Sequence, residues 1–225
     1  MKIIRLSRSS WFKLNLENMV IHFDPGYTGF LENQKTPLQE LEEKADWVFI
    51  THSHLDHYRT DVLEKITDEH TIIVAPFTVA EQIKGQKILV TDKSMLTFPS
   101  FTVDCLPAYN TPTGHSIKKY HSKGAFVGYF ICFKDQSIYF AGDTDLIPEM
   151  ERVKNVDIAF LPIGGTYVMD GEEALEAVDF IQPKTVVLMH EANENPILLA
   201  KKVSSPTRVI VLTVGETHIE NQKTD

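Results

Sequence analysis

The chain has 225 residues, 43% of them hydrophobic and 24% charged, so it can bury a core without a disulfide framework or a structural metal. Its 31 acidic and 22 basic residues leave a formal net charge of −9. This charge argues against a nucleic-acid partner, because phosphate contacts depend on clustered lysine and arginine. The composition suits an enzyme that acts on a small molecule.

The N-terminal sequence MKIIRLSRSSWF lacks the continuous apolar stretch and the small-residue cleavage site of a signal peptide. No apolar run approaches the length that spans a membrane. The expected location is therefore the cytoplasm. The sequence is compatible with a homo-oligomer and leaves the oligomeric state open.

Short apolar segments in the first half of the chain predict strands interleaved with a few helices. The predicted strands are Lys2–Leu6, Trp11–Leu16, Met19–Phe23, Trp47–Ile50, Thr71–Ala75, Lys87–Val90, Ser94–Phe98 and Phe101–Leu106. The predicted helices are Thr36–Lys44, Thr60–Ile66 and Thr78–Lys84. Glu17-Asn18 is predicted to form the turn between the second and third strands.

Residues 107–124 (PAYNTPTGHSIKKYHSKG) are polar and rich in Pro, Gly, Thr and Ser, which predicts a long loop. Loops of this length inside a compact domain are usually functional. The strands predicted after the loop are Ala125–Phe133, Ser137–Phe140, Val156–Pro162, Thr185–Met189 and Arg208–Leu212. Helices are predicted at Ile147–Val153 and Glu172–Ile181, and the polar tail Glu220–Asp225 is expected to be frayed.

The segment HSHLDH, residues 52–57, places four candidate metal ligands in six positions at the end of an apolar strand. Neutral imidazoles suit zinc, iron or manganese, and a carboxylate adds an oxygen ligand. His52 and His54 are two apart and point the same way in an extended backbone. Asp56 and His57 follow a turn and can face a second ion. The alternative is a solvated polar loop, which this density of ligands disfavours.

Two later strands also end at a side chain that can bind metal. The strand at Ser137 leads into Asp143, and Thr185–Met189 ends at His190. Taken alone, Asp143 would be explained as a turn-capping aspartate and His190 as a buried structural histidine. Together with the HSHLDH segment, both are better explained as ligands.

These segments carry a resemblance to a known family. HSHLDH resembles the HxHxDH signature of the metallo-β-lactamase superfamily, AGDTD resembles its aspartate motif, and VLMHE resembles its last histidine motif, in the same order. The chain is similar to the stand-alone metal-dependent hydrolases of the ascorbate-6-phosphate lactonase type. The resemblance implies an α/β (α+β) fold, the four-layer αββα sandwich, with residues 1–225 as a single domain.

The resemblance also implies a site with two divalent metal ions, zinc in the first place, with manganese or iron as alternatives. It assigns His52 and His54 to one ion, Asp56, His57 and His190 to the other, and Asp143 to both.

A third histidine should join His52 and His54. Many relatives place it straight after a strand, where this chain has Asn110, a poor ligand. We prefer His121, because HSKG resembles the HPKG stretch of some members, and His115 is the alternative. Asp24, in the Asp-Pro-Gly that follows a strand, is either a turn carboxylate or a group that orients a metal-bound histidine.

The implied activity is that of a metal-dependent hydrolase, which activates water against an ester, lactone or phosphodiester of a small molecule. Asp56 is the candidate catalytic residue, taking up a proton as the leaving group departs. Two alternatives stay open. One is a non-hydrolytic metal-binding protein with a degraded site, suggested by Asn110, and the other is a nuclease of the same fold.

Overall fold

The computed structural model describes residues 1–16, 18–204 and 206–220. The chain forms two compact units. The first unit comprises Met1–Leu89 and the segment from Leu212 onward, and the second comprises Val90–Val211. Each unit contains one seven-stranded mixed sheet. That residues 1–225 form a single domain stays a prediction.

The sheet of the first unit is mostly built from the N-terminal part of the chain. Its strands are β1 (Lys2–Arg5), β2 (Phe12–Leu16), β3 (Met19–Phe23), β4 (Trp47–Phe49), β5 (Ile72–Pro76), β6 (Lys87–Val90) and β14 (Thr217–Ile219). Their order across the sheet is β14-β1-β2-β3-β4-β5-β6. Strands β3, β4 and β5 run parallel, with Phe23 opposite Phe49. The carboxyl ends of these strands therefore share one edge of the sheet, the usual location of binding sites in parallel sheets.

Two short α-helices accompany this sheet: α1 (Thr60–Ile66) and α2 (Phe77–Ala80). Helix α1 buries Val62, Leu63 and Ile66 in a core that also contains Trp11 and Val48. Burial of a large apolar side chain contributes about 1.5–3 kcal/mol, so this packing holds the segment that leads from β4 into α1.

The predicted helix Thr36–Lys44 is wrong, because the structure has only a 3-10 turn at Leu38–Leu41. Leu41 is buried but Leu38 is exposed, so the segment has no continuous apolar face to pack. The predicted helix Thr78–Lys84 is also shorter than expected. After α2, Ile83 N donates to Ala80 O, a bond across three residues that belongs to a tight turn and not to an α-helix.

The sheet of the second unit is antiparallel in one half and parallel in the other. Its strands are β7 (Met95–Thr97), β8 (Phe101–Pro107), β9 (Val127–Phe133), β10 (Ser137–Phe140), β11 (Ile158–Pro162), β12 (Thr185–Met189) and β13 (Arg208–Ile210). Their order is β13-β12-β11-β10-β9-β8-β7. Strands β10 to β13 run parallel, so the residues that follow β10, β11 and β12 lie at the same edge.

The helices of the second unit are α3 (Gly171–Ile181) and α4 (Pro196–Ala200). Helix α3 begins after Asp170, whose side chain accepts a hydrogen bond from Glu173 N, and it buries its apolar face in the core of the unit. The predicted helix Ile147–Val153 is a 3-10 helix at Pro148–Val153.

Several short elements differ from the prediction. The sequence analysis missed α4, strand β14 and a 3-10 turn at Leu31–Gln34. The turn predicted at Glu17-Asn18 and the frayed tail Glu220–Asp225 fall partly outside the described residues, at position 17 and at 221–225. None of the described helices is long and apolar enough to cross a membrane.

Candidate metal centre

The first unit brings five candidate residues to the carboxyl ends of β3 and β4. This first-unit cluster consists of Asp24, His52, His54, Asp56 and His57. Potential ligand atoms of Asp24, His52 and His57 lie within 4.8 Å of one another. The cluster arises because β3 and β4 are parallel neighbours, so the turn after β3 meets the segment after β4.

Asp24 is fully buried beneath this segment. Its Oδ1 accepts a hydrogen bond from Thr51 N (2.7 Å), and its Oδ2 accepts from Thr51 Oγ1 (2.7 Å) and His57 Nδ1 (2.8 Å). Burial raises the pKa of Asp24, and the bonds from His57 and Thr51 act against that rise. Asp24 therefore touches a candidate ligand directly, which favours the orienting role over that of a turn carboxylate.

The hydrogen bonds determine which ring nitrogens carry protons. His57 donates from Nδ1 to Asp24, so its Nε2 keeps the lone pair that binds metal. Since the Thr51 hydroxyl donates to Asp24, it accepts from His52 Nδ1 (2.9 Å). His52 Nε2 is then also free of a proton.

The four candidate ligands in the segment after β4, at positions 52, 54, 56 and 57, form two neighbouring pairs. His52 Nε2 lies 3.0 Å from His54 Nδ1. His57 Nε2 lies 3.5 Å from Asp56 Oδ2. The ring centroids of His52 and His57 are 4.0 Å apart, which places the two pairs side by side.

The second unit brings three further candidates together, and we call His121, Asp143 and His190 the second-unit cluster. Asp143 follows β10 and His190 follows β12, whereas His121 comes from the long loop between β8 and β9. Asp143 Oδ2 lies 3.4 Å from His121 Nε2 and 3.4 Å from His190 Nε2. One carboxylate oxygen thus stands between two imidazoles.

His121 is buried, and hydrogen bonds at its Nδ1 fix the ring. Its Nδ1 donates to Asn110 Oδ1 and to Tyr167 O, each at 3.1 Å, so that Nε2 faces Asp143. The other candidate, His115, lies elsewhere, where its Nδ1 bonds Asp170 Oδ1 at 2.9 Å. The Asp170 carboxylate raises the pKa of His115, which favours the protonated ring over a ring that binds metal.

Three supporting residues were missed by the sequence analysis: Ser9, Thr51 and Asn110. Ser9 Oγ donates to Asp56 Oδ2 at 3.2 Å. Thr51 could have been suspected, because it immediately precedes His52 at the end of the strand. Asn110 was identified only as a poor ligand, and nothing in the local sequence signals that it contacts His121.

One histidine of the first unit is a core residue. His22 in β3 is fully buried, and its Nδ1 accepts a hydrogen bond from Trp11 Nε1 (3.0 Å). Burial, assisted by the charge of Lys13, lowers the pKa of His22 to about 3, so the ring stays neutral.

The donor set fits divalent transition-metal ions. Ligand atoms of a tetrahedral zinc site, bound at 2.0–2.1 Å, stand about 3.3 Å from one another. The pairs inside each cluster, at 3.0, 3.4, 3.4 and 3.5 Å, match that spacing. Imidazole with carboxylate is a ligand set that zinc, iron and manganese accept.

Comparison with known proteins supports the same chemistry. The sequence matches the β-lactamase superfamily domain over residues 20–190. It is 33% identical to a UPF0173 metal-dependent hydrolase of Staphylothermus marinus, over 96% of this chain and 98% of that protein.

Solved structures of similar proteins have the same fold. A Parabacteroides distasonis ATCC 8503 protein has a TM-score of 0.81 at 26% identity, covering 94% of this chain and 92% of that one. Igni18, a metallo hydrolase of Ignicoccus hospitalis, has a TM-score of 0.80 at 27% identity, covering 98% and 99%. These likenesses and the two mixed sheets confirm the predicted metallo-β-lactamase fold class.

Proposed function

The chain belongs to the β-lactamase superfamily and is a metal-dependent hydrolase, and on this premise we propose that it uses a dinuclear site to hydrolyse an ester, lactone or phosphodiester of a small molecule. The observation that carries the proposal is the position of Asp143. Its Oδ2 is equally far, 3.4 Å, from His121 Nε2 and His190 Nε2. A carboxylate that bridges two ions, each with its own histidine, needs such a position.

The proposed ligand set follows the order of the superfamily motifs. His52, His54 and His121 would hold the first ion, Asp56, His57 and His190 would hold the second, and Asp143 would bind both. The ligand-atom spacing inside each cluster supports this assignment. Zinc is the first choice of metal for so many imidazoles, with manganese or iron as alternatives.

A pair of ions held by these residues would supply polarisation of the substrate oxygen and a lowered pKa of the attacking water. The protein orients the ligands, because Asp24 and Asn110 hold the Nδ1 protons of His57 and His121 and so direct each Nε2 lone pair.

Asp56 is the proposed proton carrier. Its side chain is 21% exposed, and Oδ2 accepts a bond from Ser9 Oγ. A carboxylate at the edge of the site can take up the proton that the attacking water loses and pass it to the departing group.

Metal content per chain tests the dinuclear site. We expect elemental mass spectrometry of anaerobically purified protein to give close to two ions for the wild type and close to one for His121→Ala. His70→Ala is the matched control, because His70 is exposed and lies outside both clusters. A wild-type content of one or none, unchanged in His121→Ala, would contradict the proposal.

Hydrolysis of chromogenic esters, lactones and phosphodiesters, with a short DNA as a nuclease substrate, tests the reaction. Asp143→Ala should lower the rate by more than about 100-fold, since even residues that only support ligands cost 10–100-fold. Chelation should have a comparable effect. Activity that survives both treatments, or cleavage of DNA alone, would argue for another chemistry.

A further inference from the structure

We infer that Asn110 and Asp145 are positioning residues, which fix the location and tautomer of His121 and thereby set the affinity for the ion that His121 binds. The inference rests on the proposed function in one respect, the role of His121 as a ligand. The hydrogen bonds from His121 N and Nδ1 to Asn110 and Tyr167 lie within the second unit.

The Asn110 carboxamide has both ends engaged. Its Oδ1 accepts from His121 N (2.9 Å) and His121 Nδ1 (3.1 Å). Its Nδ2 donates to Tyr167 O (2.8 Å) and Asp145 Oδ1 (3.2 Å). Rotating the amide by half a turn would set its NH₂ group against two donors, so only one orientation satisfies the network. In that orientation the proton of the ring must reside on His121 Nδ1.

Asp145 anchors the amide. The residue is fully buried. Besides Asn110 Nδ2, its carboxylate accepts from Thr111 N (2.8 Å) and Lys119 Nζ (3.1 Å). Bonds of this kind to a charged, buried acceptor are stronger than neutral ones. Because Asp145 is two residues after Asp143, the segment that presents one candidate ligand also clamps the loop that carries another.

The loop packs directly against this carboxylate at Gly114. A Cβ on Gly114 would lie 2.2 Å from Asp145 Oδ2, a distance no side chain can tolerate. Lys119 Nζ closes the turn by donating to Gly114 O (2.7 Å) and Ser116 Oγ (2.8 Å) as well as to Asp145. The loop is therefore folded around the buried Asp145 carboxylate, which also bonds the Asn110 amide.

A second buried carboxylate provides a matched comparison. Glu173 in α3 accepts from His115 N (3.0 Å) and Leu146 N (3.1 Å), so it also holds the loop and the segment after β10. It makes no hydrogen bond to Asn110 or His121 among those of the described residues. A variant at Glu173 therefore separates general anchoring of the loop from orientation of His121.

The experiment compares Asn110→Ala, Asp145→Asn and Glu173→Gln, with Lys123→Met as a control on an exposed lysine of the same loop that pairs with Glu149. Zinc affinity is measured by competition with a chromophoric chelator on the full chain. The tautomer of His121 is read from its ring ¹⁵N resonances in metal-free protein, assigned by their loss in His121→Ala.

We expect Asn110→Ala to weaken binding of one ion by about 10–100-fold. We also expect the ring proton of His121 to be shared between Nδ1 and Nε2 in this variant. Asp145→Asn should shift both readouts in the same direction by less, and it keeps the test valid if Asn110→Ala does not fold. Glu173→Gln and Lys123→Met should leave both unchanged, although Glu173→Gln should lower the thermal midpoint.

Unchanged affinity and tautomer in Asn110→Ala and Asp145→Asn would overturn the inference. An equal loss in Glu173→Gln would overturn it too, because it would show that only general anchoring matters. A wild-type metal content that does not depend on His121 would contradict the proposed function instead. The ¹⁵N resonances of metal-free protein would still support or overturn the positioning of His121 in that case.

Discussion

The first-unit and second-unit clusters use the same types of side chain but are assembled differently. In the first, four candidate ligands lie within residues 52–57, and one further group, Asp24, comes from the neighbouring parallel strand. In the second, each of the three residues comes from a different part of the chain. The first cluster is a local feature of one strand end, and the second exists only because a sheet and a loop place distant residues together.

Because of this difference, each cluster depends on different supporting residues. The imidazoles of the first cluster are held by a short strand-to-helix segment and one buried carboxylate. His121 depends on a long loop and on the network of Asn110 and Asp145. A change to a residue that supports one cluster should therefore alter metal binding by that cluster.

Among the variants that change the support of the first-unit cluster, the largest effect is expected from Asp24→Asn. An amide can accept from Thr51, but it carries no charge and its NH₂ opposes one of the three donors around the buried group. We expect metal affinity to fall by about 10–100-fold, the cost typical of a group that supports a ligand. The matched control is Asp46→Asn, at the opposite end of β4, where Asp46 accepts from Val20 N. Equal metal affinity in the two variants, by chelator competition, would contradict a special role for Asp24.

The next effect concerns two glycines, one beside each cluster. A Cβ on Gly26 would lie 2.4 Å from His57 N, and a Cβ on Gly164 would lie 2.5 Å from His190 O. Because the obstructing atoms are backbone, Gly26→Ala and Gly164→Ala should each lower the free energy of unfolding by about 1–3 kcal/mol. Urea unfolding of metal-free protein measures this cost.

Gly29→Ala is the control for the glycine variants. A Cβ there meets nothing within 4 Å, and only the positive φ of 76° strains the substitution. It should lower stability by about 1 kcal/mol and leave metal content unchanged. A loss of stability in Gly29→Ala as large as that in Gly26→Ala and Gly164→Ala would contradict a special cost of the close backbone approach beside the clusters.

The pH dependence of stability distinguishes a core histidine from the candidate ligands. The pKa of buried His22 is lowered from 6.5 to about 3, so below pH 6.5 the unfolded chain binds a proton that the folded chain does not. The free energy of unfolding should therefore fall as the pH drops from 6.5 toward 3, by up to about 1.4 kcal/mol per pH unit.

His22→Asn should make that dependence shallower, and the exposed His70→Asn should not. Urea unfolding of metal-free protein between about pH 5 and about pH 7 gives the comparison. Identical slopes for wild type and His22→Asn would contradict the assignment of His22 as a neutral core residue.

Local pattern predicted the strands well and the short helices poorly. The apolar runs that became β3, β4, β10 and β12 were identified to within a residue or two, because β-branched and aromatic side chains favour strands wherever they are buried. The segment around Leu38 has helix-forming residues but buries only Leu41, so tertiary contacts and not propensity decided its structure.

Apolar runs and the residues that follow them were sufficient to predict the strand ends and the candidate ligands there, at residues 52–57, Asp143 and His190. The position of His121, and not His115, beside Asp143 and the support of His121 by Asn110 depend on tertiary contacts that the sequence does not reveal. The physical reason is that side chains in a long loop have no periodicity to orient them. Their directions come from hydrogen bonds to the buried carboxylates of Asp145 and Glu173 and to the Tyr167 carbonyl.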